Sequence, residues 1–189
     1  MLKRFALFLA VFAGLLAPAP MAFAQGSLSD SYSGQDLVDN GRKFFGTASQ
    51  GLASIVERAV SQFGQPNGYI LGEDAGGALF AGARYGEGIL HTRNAGQFNV
   101  YWQGPSIGFD VGGDGSKTMM LVYNLNQVAD VLGRFAGVDG SAYVLGGFGM
   151  TVITQGDVVI VPIRSGVGAR LGVSVGYLKF TSEPTWNPF

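Results

Sequence analysis

The stretch GVGARLGVSVGY, residues 166–177, alternates two kinds of residue. Val167, Ala169, Leu171, Val173, Val175 and Tyr177 fall on one phase, and Gly166, Gly168, Arg170, Gly172, Ser174 and Gly176 on the other. Successive side chains of a strand point to opposite faces, so this reads as a strand with one packed apolar face and one of nearly bare backbone. Glycine inside a strand weakens it, and marks sharp curvature or the close approach of another segment. A small, strongly curved barrel with a helix packed on it accounts for both. Working outward, the chain from Gly68 onward consists of short runs of Val, Ile, Leu, Tyr and Phe cut by glycine-rich turns, the pattern of an antiparallel sandwich or barrel. Candidate strands fall near 69–73, 77–84, 88–93, 97–103, 106–111, 117–124, 141–153, 157–164 and 167–180. VADVLGRF, ending at Phe135, reads as a short crossover helix. Pro162 places its strand at an edge or at a bulge.

Upstream of Gly68 the chain changes character. Lys3 and Arg4 precede an apolar run from Phe5 to Ala17, followed by Pro18, Pro20 and the triplet Ala22-Phe23-Ala24. That order is a secretory signal peptide with cleavage expected after Ala24. The apolar run falls short of the about 20 residues that a spanning helix needs. Residues 25–43 are polar and rich in Ser, Gly and Asp, and read as a flexible leader with at most a short helical turn near Asp36–Asn40. From Phe45 to Phe63 the apolar residues stand at 45, 48, 52, 55, 56, 59, 60 and 63, which predicts one amphipathic helix. Gly64 and Pro66 end it. The expected organisation is a signal peptide over 1–24, a leader over 25–43, and over 44–189 a single mainly β domain, a small closed antiparallel barrel with an N-terminal helix.

Cleavage removes two of the 12 basic residues and none of the 13 acidic ones, leaving 10 − 13 = −3. A net-acidic chain lacks the cationic surface that counterion release from nucleic acid requires, so nucleic acid is not an expected partner. There is no cysteine, which excludes disulfides and thiolate metal sites even where export permits them. The competing architecture, an outer-membrane barrel ending at Phe189, alternates lipid-facing apolar residues with a polar lumen. Here the second face is glycine, and Pro184 and Pro188 interrupt the terminal segment. Once the signal is cleaved, no membrane-spanning segment is expected.

The residues that carry chemistry are few. Gly112-Gly113-Asp114-Gly115-Ser116-Lys117-Thr118 looks like a phosphate loop, but Ser116 separates the last glycine from the lysine, and a strand rather than a helix follows. A glycine-rich hairpin turn fits better. Asp110 and Asp114 flank it without calcium-loop spacing. His91 is the sole histidine, which excludes any multi-histidine metal site, and no nucleophile elbow accompanies it. Glu73, Asp74, Glu87 and Asp110 are the candidate acids for a hydrolase acting on cell-wall or lipopolysaccharide material, which needs two carboxylates about 5 to 9 Å apart. Arg164 and Arg170 stand on the same face of an unbulged strand, roughly 20 Å apart, and suit either separate anionic groups or carboxylate partners such as Asp110 or Glu87. Tyr101 and Trp102, with Phe98 and Phe109, are candidates for a ligand platform or for the core. The ligand-binding candidates are therefore Trp102, Asp110, Arg164 and Arg170, with no catalytic residue, metal or cofactor expected.

Three separated blocks carry a resemblance: YWQGPSIGFDVGGDG over 101–115 with MMLVYN over 119–124, PIRSGVGARLG over 162–172, and the terminal PTWNPF over 184–189. Together they closely resemble EipA, the envelope integrity protein family of alphaproteobacteria, over about residues 67–189. The resemblance implies a soluble periplasmic protein with a compact barrel of eight strands, contributing to envelope integrity and stress resistance, with no family catalytic residues to transfer. Gly104-Pro105-Ser106, Gly108-Phe109 and Gly112, followed by LVYN, are more weakly similar to the SYLF lipid-binding domain. That domain uses basic segments where this block has only Lys117. The expectation is a non-enzymatic envelope module that binds a lipid, a glycan or an envelope protein through the barrel mouth or the glycine-bare face.

Overall fold

A computed structural model describes residues 30–46, 50–76, 83–105, 116–165, 176–185 and 187. The signal peptide and the start of the leader lie outside the described residues. Helix α1, Gly34–Phe45, begins at Ser33, whose hydroxyl accepts the Asp36 N–H while the Asp36 carboxylate accepts the Ser33 N–H, a reciprocal capping box. Asp36 in its first turn and Arg42 and Lys43 in its last complement the helix dipole. From Gly34 onward this helix replaces the flexible leader expected over 25–43. Leu37, Val38, Gly41 and Phe45 are buried at helical spacing, a stripe hidden in the sequence by its Ser, Gly and Asp surroundings. Replacing Ser33 with Ala is expected to lower stability by about 1 kcal/mol in chemical denaturation. An unchanged midpoint would show that α1 does not depend on its cap.

Gly46, at φ +72°, closes α1 with its N–H on the Arg42 carbonyl. Helix α2 follows as Gln50–Phe63, so the single helix expected from Phe45 is shared between two. Leu52, Ile55, Val56 and Ala59 form the buried face that the spacing requires.

The strands are β1 Gly68–Gly76, β2 Ala83–Thr92, β3 Gly96–Pro105, β4 Ser116–Tyr123, β5 Gly133–Gly137, β6 Tyr143–Leu145, β7 Phe148–Met150, β8 Ile153–Gln155, β9 Val158–Ser165 and β10 Tyr177–Thr181. Their order is β4-β1-β2-β3-β10-β5-β8-β9-β7-β6, and β9 pairs back onto β4. The eight strands other than β6 and β7 thus form a closed antiparallel barrel, and those two extend from β9 as a hairpin.

Several strand readings change. Gly86 and Glu87 do not separate two strands: β2 runs through them, because its glycines face a neighbour rather than make a turn. The strand expected over 141–153 is broken by Gly146 and Gly147, both at positive φ, as a two-residue hairpin turn requires. The crossover helix is a single 3₁₀ turn, Val128–Val131, and its last residues already belong to β5. Pro162 lies in a strand paired on both sides. The ladder to β4 passes through it, while the other ladder breaks between β7 and β8 opposite its missing N–H, leaving the bond from Thr151 N–H to the Pro162 carbonyl. The strands expected at 77–84 and 106–111 lie mostly or wholly outside the described residues. Of 167–180, Gly176 and β10 are described. There Leu178 and Phe180 turn inward, and Tyr177 lies outside beneath Arg134, 5.3 Å away.

Alternation gives this barrel two cores. Inside, Ile70, Leu90, Val100, Trp102, Met120, Phe135 and Phe180 are buried together, with Phe135 edge-on to Phe180 at 5.4 Å. On the outer face of β1, β4 and β9, Tyr69, Met119, Leu121, Val161 and Ile163 pack against α1 and α2. Among the described residues the interior is therefore filled with apolar side chains. Glu73, Glu87, Gln97 and Asn99 are exposed on the outside, the reverse of a transmembrane barrel's polarity.

Candidate functional site

One acid interrupts the apolar phase of the interior. Asp74 follows Ile70 at the strand period of two, so it points into the barrel, where its side chain is 6% exposed. Such a charge is tolerated only when paired and hydrogen-bonded. Three donors meet it: Trp102 Nε1–H on Oδ1, Thr118 Oγ–H on Oδ2 at 2.9 Å, and Arg164 Nε–H on Oδ2 at 2.7 Å. Barrel closure assembles them. Gly72 of β1 is in register with Thr118, Thr118 with Arg164, Asp74 with Gly86, and Gly86 with Trp102.

The Trp102 indole lies against the bare backbone of Gly86 and Gly72; a Cβ on either would collide with it. Glycine at these positions is the space for the ring. Burial alone would raise the pKa of Asp74. The charges of Arg164 and Arg84, with the Trp102 and Thr118 hydrogen bonds, outweigh burial and hold the carboxyl below its ordinary range. A carboxylate so held is an anchor for donors, unlike a general acid or base, whose pKa lies near the working pH. Within the described residues the centre lies near the C-terminal ends of β1, β3 and β9 and the N-terminal ends of β2 and β4.

Of the four ligand-binding candidates, the structure brings Trp102 and Arg164 together, while Asp110 and Arg170 lie outside the described residues. Arg164 pairs with Asp74, not with Glu87. Glu73 and Glu87 face each other across β1 and β2 on the exposed outer surface, so strand alternation parts both from Asp74. His91 is stacked on Tyr69 at 4.8 Å, and Tyr69 meets Tyr32 edge-on. Burial pushes the imidazole pKa down. Beside them Arg93 lies over Tyr32 and bonds Asp36 at 2.6 Å, so this cluster seats the start of α1.

Lys117 and Thr118 of the phosphate-loop lookalike diverge. Lys117 donates to the Phe44 carbonyl at the end of α1, and Thr118 serves Asp74. Tyr101 lies on the outer phase opposite Glu87, and Phe98 is partly exposed. Phe109 and Asp114 lie outside the described residues. Among the described residues no group of three His, Asp or Glu side chains is placed to hold a metal ion. Sequence reasoning missed Thr118 and Arg84 as members of this centre. Their signal was phase: Thr118 shares the inward phase of buried Met120 and Val122, as Asp74 shares that of Ile70.

The class these features define is a closed eight-stranded antiparallel β-barrel with a filled interior, two helices on its outer face and a buried acid–arginine centre toward one end. The chain belongs to the envelope integrity protein A family, EipA, whose model matches residues 30–189. The match takes in both helices as well as the barrel. The chain is also similar to a β-barrel-like, uncharacterized protein from Brucella abortus known from its crystal structure, at 55% identity over 84% of this chain and 99% of that one, with a TM-score of 0.79. No curated protein matches it. Family membership ties the chain to integrity of the cell envelope. No helix among the described residues is long and apolar enough to cross a membrane.

Proposed function

We propose that the chain, freed of residues 1–24, is a non-enzymatic periplasmic protein that supports envelope integrity and resistance to envelope stress by binding an envelope component at the end of the barrel beside Asp74. The observation that carries this reading is the buried centre of Asp74, Trp102, Thr118 and Arg164: a preorganised polar group in an otherwise apolar barrel. Its carboxylate accepts three hydrogen bonds and is kept ionised, which suits recognition better than proton transfer. Among the described residues the interior is packed with apolar side chains, which favours a head group, a sugar or a protein segment at the barrel end over an acyl chain held inside.

The test is mass spectrometry of protein recovered from its own envelope under mild conditions. A retained lipid, glycan or envelope protein, lost when Asp74 is replaced by Asn, is the expected result. Recovery of the bare chain, with none of the three, would sink the reading.

A further inference from the structure

Arg164 meets Asp74 through Nε–H alone, and its two terminal amino groups have no partner among the described residues. Its side chain keeps 21% of its surface exposed. A guanidinium is planar and rigid, so an acceptor on the Nε edge fixes the direction in which the terminal amino groups present their N–H donors. Asp74 is itself pinned by Trp102 and Thr118 from two other strands, which fixes that plane further. Arg84, two residues from Gly86 and on the same inward phase of β2, adds its charge to that of Arg164. Against these two cations, Asp74 is the single carboxylate on this part of the inner face among the described residues.

We propose that the barrel end binds an oxyanion, a phosphate or carboxylate group, on the terminal amino groups of Arg164, with Asp74, Trp102 and Thr118 as positioning residues. This rests on the binding reading above and narrows it to an acidic ligand, whose charge and planar oxygens match a guanidinium better than the hydroxyls of a neutral glycan. Partial burial makes the interaction stronger than at an open surface, because water screens it less.

The experiment follows the Trp102 indole N–H, identified by its loss in Trp102→Phe, and the Arg164 Nε–H by NMR during titration with inorganic phosphate. Both resonances should shift saturably in the native chain. In Arg164→Lys, which keeps the charge but loses the planar donors, phosphate affinity should fall roughly tenfold while the rest of the spectrum shows an intact fold. Sedimentation with phosphatidylglycerol vesicles, but not with phosphatidylcholine vesicles, would support the inference and place the anion on a lipid head group. A phosphate response without vesicle binding supports it equally and points to a soluble acidic ligand. No phosphate response, or an equal one in Arg164→Lys, overturns the inference. If that variant still retains the component found in envelope extracts, the broader reading stands; if the native chain retains none and shows no phosphate response, both fall.

Discussion

Trp102→Ala should lower the stability of the barrel by about 3–5 kcal/mol, the range for emptying a large aromatic site in a packed core. Trp102 is among the largest fully buried side chains, and its ring packs toward Phe180 with centroids 6.1 Å apart. The walls beside it are Gly86 and Gly72, which carry no side chain that could collapse into the space. The loss also strips one donor from buried Asp74. Urea denaturation followed by far-ultraviolet circular dichroism measures it, since the substitution removes one of the chain's two tryptophan fluorophores. A loss below about 1 kcal/mol would mean that the interior repacks easily, contrary to its close packing.

Arg164→Ala is expected to be comparably severe, about 3 kcal/mol near neutral pH, because it leaves Asp74 buried without its main counter-charge. The lower end of the range applies because Arg164 is itself partly exposed and Arg84 remains near the carboxylate. The pH dependence has a definite sign. The folded pKa of Asp74 is depressed, so its contribution is fully present above the unfolded value of about 4 and is lost as pH falls through the lower folded value. The native chain should therefore lose stability below about pH 4, and the gap to Arg164→Ala should narrow there. A gap that stays constant from neutral pH into that acid range would show that Asp74 is not held ionised by Arg164.

How much of this was legible in the chain depends on how local each signal is. The face of α2 was readable because Leu52, Ile55, Val56 and Ala59 recur within one helix. Helix α1 was not, because Ser33 and Asp36 read as loop chemistry until they are seen to cap one another. Gly86 read as punctuation, and became a strand residue only because Trp102 of the next strand occupies its missing side chain. Of the centre, Trp102, Asp74 and Arg164 were each named, for three different reasons, and nothing in the sequence linked them.

By itself the sequence determined the strand-rich, glycine-walled character of the protein, and the resemblance that led to its envelope family, since both reside in residue types and short-range phase. Tertiary structure alone decided that β9 closes on β4, and so that residues 74, 118 and 164 share one carboxylate. The physical reason is that strand alternation says which way a side chain points but not which strand lies opposite. Pairing is a long-range choice, made where the whole barrel buries its apolar phase at once.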